Sequence, residues 1–536
     1  MREMLEADVC VIGAGAGGAV AAAELAEGGA RVVLLEQGPE HDADDFTARP
    51  LEMLGRLYRD GAQTTTLGTP PVLLPLGRGL GGTTLVNSGT CFRTPARVLE
   101  RWRREHGVEL DGAELGRCFA RVERALSVAE VTPELAGANA AVARRGAERL
   151  GWSHGYLRRN ARGCVGSGVC AFGCPTSAKQ HTGITYLPRA RAAGARVITG
   201  ADVQRILVEG GRANGVQARL AATAAGAAAG RGHEAASGRG DRPARELEVR
   251  APRVVLAAGT IHTPLLLARS GLARASGQLG RNLVLHPATA AFALMEETVD
   301  MARGVPQSFY VDEFAAEGVL FESVAGPPSY VALALPLTGA RHAAAMSRYP
   351  RLAQFGLMVS DDSRGRVHLG GARAAELGGD RVGALAGRSA NRVAGRRVGT
   401  RDRVRGVGRM GGPLIRYDLG EPDVAKFRAG LARLRELFEA AGAREVYLPL
   451  PPGVSPERAR ARDLKLMAFH PLGTARASAD PARGVLDGDL RVHGVEGLHV
   501  ADGSVMPSSL GVNPQLTIMA LATRLAYHLL ERPCPS

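Results

Sequence analysis

The pattern of apolar and polar positions changes character along the chain. Asp8–Ile12 and Arg31–Leu35 are short aliphatic, β-branched runs without alternation, the pattern of strands buried on both faces of a parallel sheet. The Ala-rich stretch Ala19–Ala26 between them reads as a helix. Leu51–Arg59, Pro95–Leu126, Ala138–Leu150 and Tyr186–Ala193 read as further helices, and Ala195–Leu207 as two short strands around Gly200. Arg253–Ala258 repeats the buried-strand pattern and leads into a helix, Thr263–Ser270, stopped by Gly271. From His286 to about Val367 the pattern becomes short alternating segments, such as Tyr330–Leu335 and Phe355–Val359, which predict an antiparallel sheet with one open face. Pro413–Tyr417 resumes that sheet, and Val424–Ala441 is an amphipathic helix. The last seventy or so residues return to the first style. Leu498–Ala501 is a strand, Asp502-Gly503 a turn, and Leu516–Leu530 a helix entered through Asn513-Pro514. Proline is favourable there because its missing N–H would be unpaired in the first turn anyway.

This order predicts an α/β Rossmann-like nucleotide domain, discontinuous in sequence, with an inserted α+β substrate domain built on an antiparallel sheet. The nucleotide domain takes 1–95, 161–285 and 464–536, the last part carrying the reactive motif. Residues 96–160 form a helical cap region and 286–463 the substrate domain. Two stretches stand apart by composition: the Ala/Gly-rich loop 221–245 and an Arg-rich insertion, 372–412. At 536 residues the chain is too long for one compact core.

The net charge of +14 raises the question of a polyanionic partner. Much of the excess is local, because nine arginines between Arg381 and Arg409 face only Asp402. No aromatic residue punctuates that run, so base stacking is not expected and the insertion reads as a solvated face rather than a nucleic-acid site. No apolar run reaches the length that spans a bilayer, and the N-terminus enters the first strand almost at once, so a cytoplasmic location is expected.

Gly13, Gly15 and Gly18 fall in the spacing G-x-G-x-x-G between the first strand and its helix, and Glu36 closes the second strand. The glycines suit a tight turn, a close approach to pyrophosphate and helix–strand packing, and the acid suits an adenosine ribose. This element by itself does not separate FAD from NAD. A second Gly-rich stretch, Gly77–Gly89, ends in hydroxyl residues and predicts a concavity lined by backbone.

Several segments, in order along nearly the whole chain, resemble the glucose–methanol–choline (GMC) oxidoreductases, FAD enzymes that oxidise alcohols. They are Asp8–Glu36; Gly77–Gly89; Gly259–Gly271 with Gly280–Leu283 and His286-Pro287; and His470–Arg476, Val500–Pro507 and Gly511–Thr517. By that resemblance Gly13, Gly15, Gly18 and Glu36 hold the ADP half of FAD, and Gly79, Gly82, Thr83 and Asn87 lie along pyrophosphate and flavin. The backbone of Val203 touches adenine. Asp502 and Gly503 meet the ribityl–phosphate region, and the helix near Pro514 points its dipole at the flavin's pyrimidine end. Residues 77–105 contain no His, the attachment residue of relatives with covalent flavin, so non-covalent FAD is expected.

Alcohol oxidation needs a base for the hydroxyl proton and an acceptor for the hydride, and His suits the first task. His470, in the compact turn before Pro471 and Gly473, matches the family's active-site His, and Asn513 the second member of its pair. An amide can hydrogen-bond the substrate oxygen but cannot take its proton. The His/Asn pairing resembles the cholesterol oxidase, choline oxidase and long-chain alcohol oxidase branches. Glu322 stands where steroid-oxidising relatives place a carboxylate. The expected substrate is a bulky apolar alcohol, with a sugar as the alternative, and the electrons pass to oxygen or to a redox partner. A catalytically idle flavin-binding scaffold, with the Arg-rich insertion binding a membrane or polyanion, is the reading from another class.

The seven cysteines do not suggest a disulfide framework. Cys164, Cys170 and Cys174, spaced C-x5-C-x3-C before Pro175, admit three readings: packed or reactive thiols, another metal with His181 nearby, or ligands of an iron–sulfur cluster. Bacterial FAD glucose dehydrogenases, which the segment resembles in spacing, carry a 3Fe-4S cluster there; long-chain alcohol oxidases, which it also resembles, imply none.

Overall fold

The computed structural model describes residues 2–221, 245–369 and 413–535. Residues 222–244 of the loop and the whole Arg-rich insertion, 372–412, therefore lie outside the described residues.

The buried-strand patterns assemble as expected. Five parallel strands lie in the order Leu498–Val500, Arg253–Leu256, Val9–Ile12, Val32–Leu35 and Arg196–Ile198. Their central members are buried along their whole length, because helices cover the sheet. Ala16–Glu27 packs against the C-terminal helix Gln515–Leu529 and against Tyr186–Ala192. Beside this sheet, Arg2–Glu6, Arg245–Arg250, Arg212–Leu220 and Ala201–Glu209 form a second, four-stranded sheet.

The substrate domain is an eight-stranded sheet centred on Ala288–Leu294, Leu352–Val359 and Val319–Ser323, which pair antiparallel. Its outer strands come from distant segments, Val72–Leu73 and Leu466–Met467 on one side, Phe309–Val311 and His154–Tyr156 on the other. One face is covered by Pro133–Leu150 and Glu421–Ala440. The second of these helices buries Val424, Phe427, Leu431, Leu434, Leu437 and Phe438 at three- and four-residue spacing, a helix-period stripe that has to face a core. The other face is left to the cavity described below.

Three segments differ from the sequence reading. Pro95–Leu126 is two helices, Ala96–His106 and Gly112–Ala125, because Gly107 ends the first in the left-handed conformation. Tyr330–Leu335 is not a strand. Pro328–Ala334 is a helix started by the Pro327-Pro328 pair, and of its residues only Val331 is fully buried. Ile415–Arg416 does not rejoin the large sheet; it pairs with Arg366–Val367 in a separate ribbon at the base of the Arg-rich insertion.

Candidate active site

Gly13, Glu36, Ala257–Gly259 and Asp502 all follow the carboxyl ends of strands of the parallel sheet. Ligands of open α/β sheets bind outside those ends. A cavity of about 1180 Å³ opens there and runs on to the free face of the antiparallel sheet. Gly13, Gly15, Glu36, Gly79, Gly82, Thr83, Asn87, Val203, Asp502, Gly503 and Pro514 line it, as do His470, Asn513 and Glu322. Gly18 does not; a Cβ there would lie 1.9 Å from the carbonyl oxygen of Gly13, so this glycine lets helix and strand touch.

Fit to a dinucleotide can be judged from the cradle itself. A Cβ at Gly15 would meet no atom within 4 Å, so the space above this helix N-terminus is open to a ligand, and such termini bind phosphate. Glu36, 8% exposed, accepts the N–H groups of Ala14 (2.9 Å) and Gly38 (2.7 Å), which fix its carboxylate at the cavity wall. Asp502 accepts from Gly259 N (2.9 Å), Thr263 Oγ1 (2.5 Å) and Ser504 N (2.8 Å), tying two strand ends together. Asn87 donates to Gln515 Oε1 at the start of the C-terminal helix, which bridges the second Gly-rich stretch to that helix. Arg59 and Arg78 also line the cavity; the sequence reading missed them because isolated arginines carry no spacing signal. Their charge suits a pyrophosphate.

At the other end of the cavity Asn513 Nδ2 lies 3.5 Å from His470 Nε2 and 3.5 Å from Glu322 Oε2. Glu322 reaches the site because it pairs with Gly356 across the sheet, on the face turned to the cavity. Burial acts on the two titratable groups in opposite senses. It pulls His470 down to about 4 and pushes Glu322 up to about 7. At neutral pH His470 is therefore uncharged and able to accept a proton.

The cysteine segment does not build a cluster site. Among the described residues no group of three or more His, Cys, Asp or Glu could hold a metal ion. The thiols have separate surroundings. Cys170 Sγ accepts from Arg159 Nη2 (3.3 Å) and Cys174 Sγ from Lys179 N (3.4 Å), while Cys164 packs against the core of the substrate domain. Between Cys164 and Cys170 the chain bridges Ser167 to Gly304. Among the described residues these thiols form no group that could hold a metal ion, so the structure gives no support to the cluster reading of Cys164, Cys170 and Cys174. The segment has a different use. Lys179, 1% exposed, donates to the carbonyls of Leu85, Asn87 and Cys170, each at 2.7 Å. It fastens the cysteine segment beneath the second Gly-rich stretch, a role that an internal lysine does not announce in sequence.

Two models described as GMC oxidoreductase match residues 54–288 and 410–522, and a model described as FAD binding domain matches 8–44. A GMC-type oxidoreductase of Mycobacterium tuberculosis is 40% identical over 97% of this chain and 75% of its own length. The chain belongs to the GMC oxidoreductase family. A GMC oxidoreductase carries FAD, and this one is an FAD-dependent oxidoreductase acting on alcohol-type substrates. A long-chain-alcohol oxidase of Arabidopsis thaliana is 26% identical over 98% of this GMC chain and 68% of its own. In fold the chain is similar to a pyridoxine 4-oxidase from Mesorbium loti, with a TM-score of 0.68 at 20% identity over 97% of this chain and 98% of that one. It is also similar to an Aspergillus oryzae formate oxidase, with a TM-score of 0.67 at 15% identity over 99% and 98%. Among the described residues no helix is long and apolar enough to cross a membrane.

Proposed function

We propose that this GMC oxidoreductase oxidises a bulky, apolar alcohol to an aldehyde or ketone, with oxygen as the electron acceptor. The observation that carries the substrate class is the wall around the polar cluster. Beyond His470, Asn513 and Glu322 the cavity lining includes the large apolar side chains Leu73, Phe172, Val324, Tyr330, Leu333 and Met467 alongside polar Thr289, Gln307, Gln354 and Lys465. Apolar walls with few convergent polar groups select an apolar body and orient it by one functional group. The long-chain-alcohol oxidase among the relatives supports the same class, and its being an oxidase supports oxygen as acceptor.

In this reading Asn513 Nδ2 donates to the substrate oxygen and His470 Nε2 takes the hydroxyl proton. The carboxylate of Glu322, linked to His470 through the amide of Asn513, counters the charge of the imidazolium once it forms. Bound FAD, held non-covalently by Gly13, Gly15, Glu36, Gly79, Gly82, Thr83, Asn87, Val203, Asp502, Gly503 and Pro514, supplies the hydride acceptor.

Anaerobic mixing tests the substrate class. 1-Dodecanol and cholesterol are expected to bleach the visible flavin absorbance faster than glucose does. Reduction by glucose with neither apolar alcohol active would overturn this reading in favour of a sugar.

The role of Glu322 has its own signature. Its group ionises near pH 7, and only the ionised form stabilises a cation on His470. The rate constant for flavin reduction is therefore expected to rise as pH increases through about 7. In Glu322→Gln that rise should vanish, leaving a lower, pH-independent rate between pH 6 and 8. A rise that persists in the Gln variant would assign it to another group.

A further inference from the structure

We propose that His286 is a positioning residue that sets the placement of Asn513 against His470, an inference that rests on the reading of that pair given above. In sequence His286 stands far from both motifs that carry the pair, and its imidazole is fully buried. Its backbone has φ +48°, a left-handed conformation that a non-glycine residue keeps only where its surroundings hold it. Three hydrogen bonds hold it. Its N–H donates to Asp361 Oδ1 (3.1 Å), and its Nε2 accepts from both Leu510 N (2.8 Å) and Gly511 N (2.9 Å). Its ring meets that of His470 edge-on, with centroids 5.6 Å apart and planes at 77°.

One side chain therefore touches both halves of the site. Leu510 and Gly511 lie just ahead of Asn513 in the chain, and the ring contact is with the proposed base itself. A nitrogen that accepts two N–H groups has no proton, and burial holds the His286 imidazole well below its ordinary ionisation range. The ring thus stays an acceptor throughout the working pH range.

Asp361 grips the same loop from behind. Fully buried, it accepts from Leu285 N (2.9 Å), Tyr417 OH (2.8 Å) and Ser509 Oγ (3.0 Å) as well as from His286. Ser509, Leu510 and Gly511 are consecutive, so three successive residues before Asn513 are fastened to His286 and Asp361. These contacts fix the path by which the loop delivers the Asn513 amide. A misplacement of a catalytic group by ~1 Å can cost on the order of 100-fold in rate.

The test uses the full-length, FAD-loaded protein and 1-dodecanol as the probe. His286→Phe keeps a ring against His470 but removes the acceptor. It is expected to retain FAD, to lower kcat about 10- to 100-fold with KM changed less than about threefold, and to lengthen the His470 Nε2–Asn513 Nδ2 separation in a crystal structure. His286→Gln, whose amide oxygen can take the place of Nε2, is expected to recover most of that loss. Unchanged kcat, or an unchanged His470–Asn513 separation, in the FAD-loaded Phe variant overturns the proposal. If His286→Phe does not fold, His286→Asn, too short to reach the loop, replaces it with the same two readouts. Should the native protein leave 1-dodecanol untouched, the substrate reading fails on its own and the crystallographic separation still decides the role of His286.

Discussion

His470→Gln is expected to slow flavin reduction by an alcohol by about 10²- to 10⁴-fold, the range supplied by a positioned general base, while leaving the flavin spectrum and thermal midpoint close to those of the native protein. The separation of effects follows from geometry. His470 Nε2 faces the cavity and Asn513, and among the described residues no backbone group bonds to its ring. Gln keeps a polar side chain of similar reach but cannot take a proton. The pH dependence adds a second check. His470 is pulled down to about 4 by burial, so its basic form prevails above that value. Rates in the native protein should fall as pH drops through about 4, a limb distinct from the one that Glu322 produces near 7. In His470→Gln the lower limb should be absent. Stopped-flow reduction across pH measures both. A Gln variant that reduces at the native rate would remove His470 from the chemistry.

Gly15→Val is expected to yield a folded protein that does not hold FAD. Gly15 caps the first helix with φ −75° and ψ −159°, backbone angles open to any residue, and nothing lies within 4 Å of the Cβ position. The protein therefore has room for the side chain, but a dinucleotide does not. The valine methyl groups would occupy the space above the helix N-terminus, where phosphate oxygens take N–H groups. Charge-assisted hydrogen bonds contribute about 1.5–3 kcal/mol each, so losing two of them weakens FAD binding by roughly 10²- to 10⁴-fold. Gly13→Val offers the contrast. Gly13 has φ +96°, and a Cβ would stand 2.3 Å from the carbonyl oxygen of Ala257, so that variant should fail to fold rather than merely lose its cofactor. Circular dichroism together with the flavin content of the purified protein separates the two outcomes. A Gly15→Val protein with a full complement of FAD would show that the pyrophosphate does not lie over this turn.

Much of this was legible before any coordinates. The glycines at 13, 15 and 18 and the acid at 36 sit in a strand–turn–helix–strand unit whose physics is local, and the GMC segments follow one another in order. His470 and Asn513 were readable from their motifs. Less legible were features that depend on partners far away in sequence. Tyr330–Leu335 alternates like a strand, yet the Pro327-Pro328 pair starts a helix there, and alternation over six residues cannot outweigh that local signal. The cysteine spacing left packed thiols, another metal and a cluster open, and spacing does not show that among the described residues these thiols form no group that could hold a metal ion.

By itself, then, the sequence determined the α/β nucleotide unit and the antiparallel second unit, because periodicity and turn chemistry are short-range properties; the family and FAD came from the resemblance of motifs spread in order along the chain. Only the tertiary structure decided the rest. It brought Glu322 and His470 to one amide of Asn513. Burial at that site shifted the two ionisations in opposite directions. Packing also set His286 and Asp361 behind the loop that carries Asn513. Desolvation and hydrogen-bond partnership depend on which distant segments pack together, and no local pattern of residues encodes that.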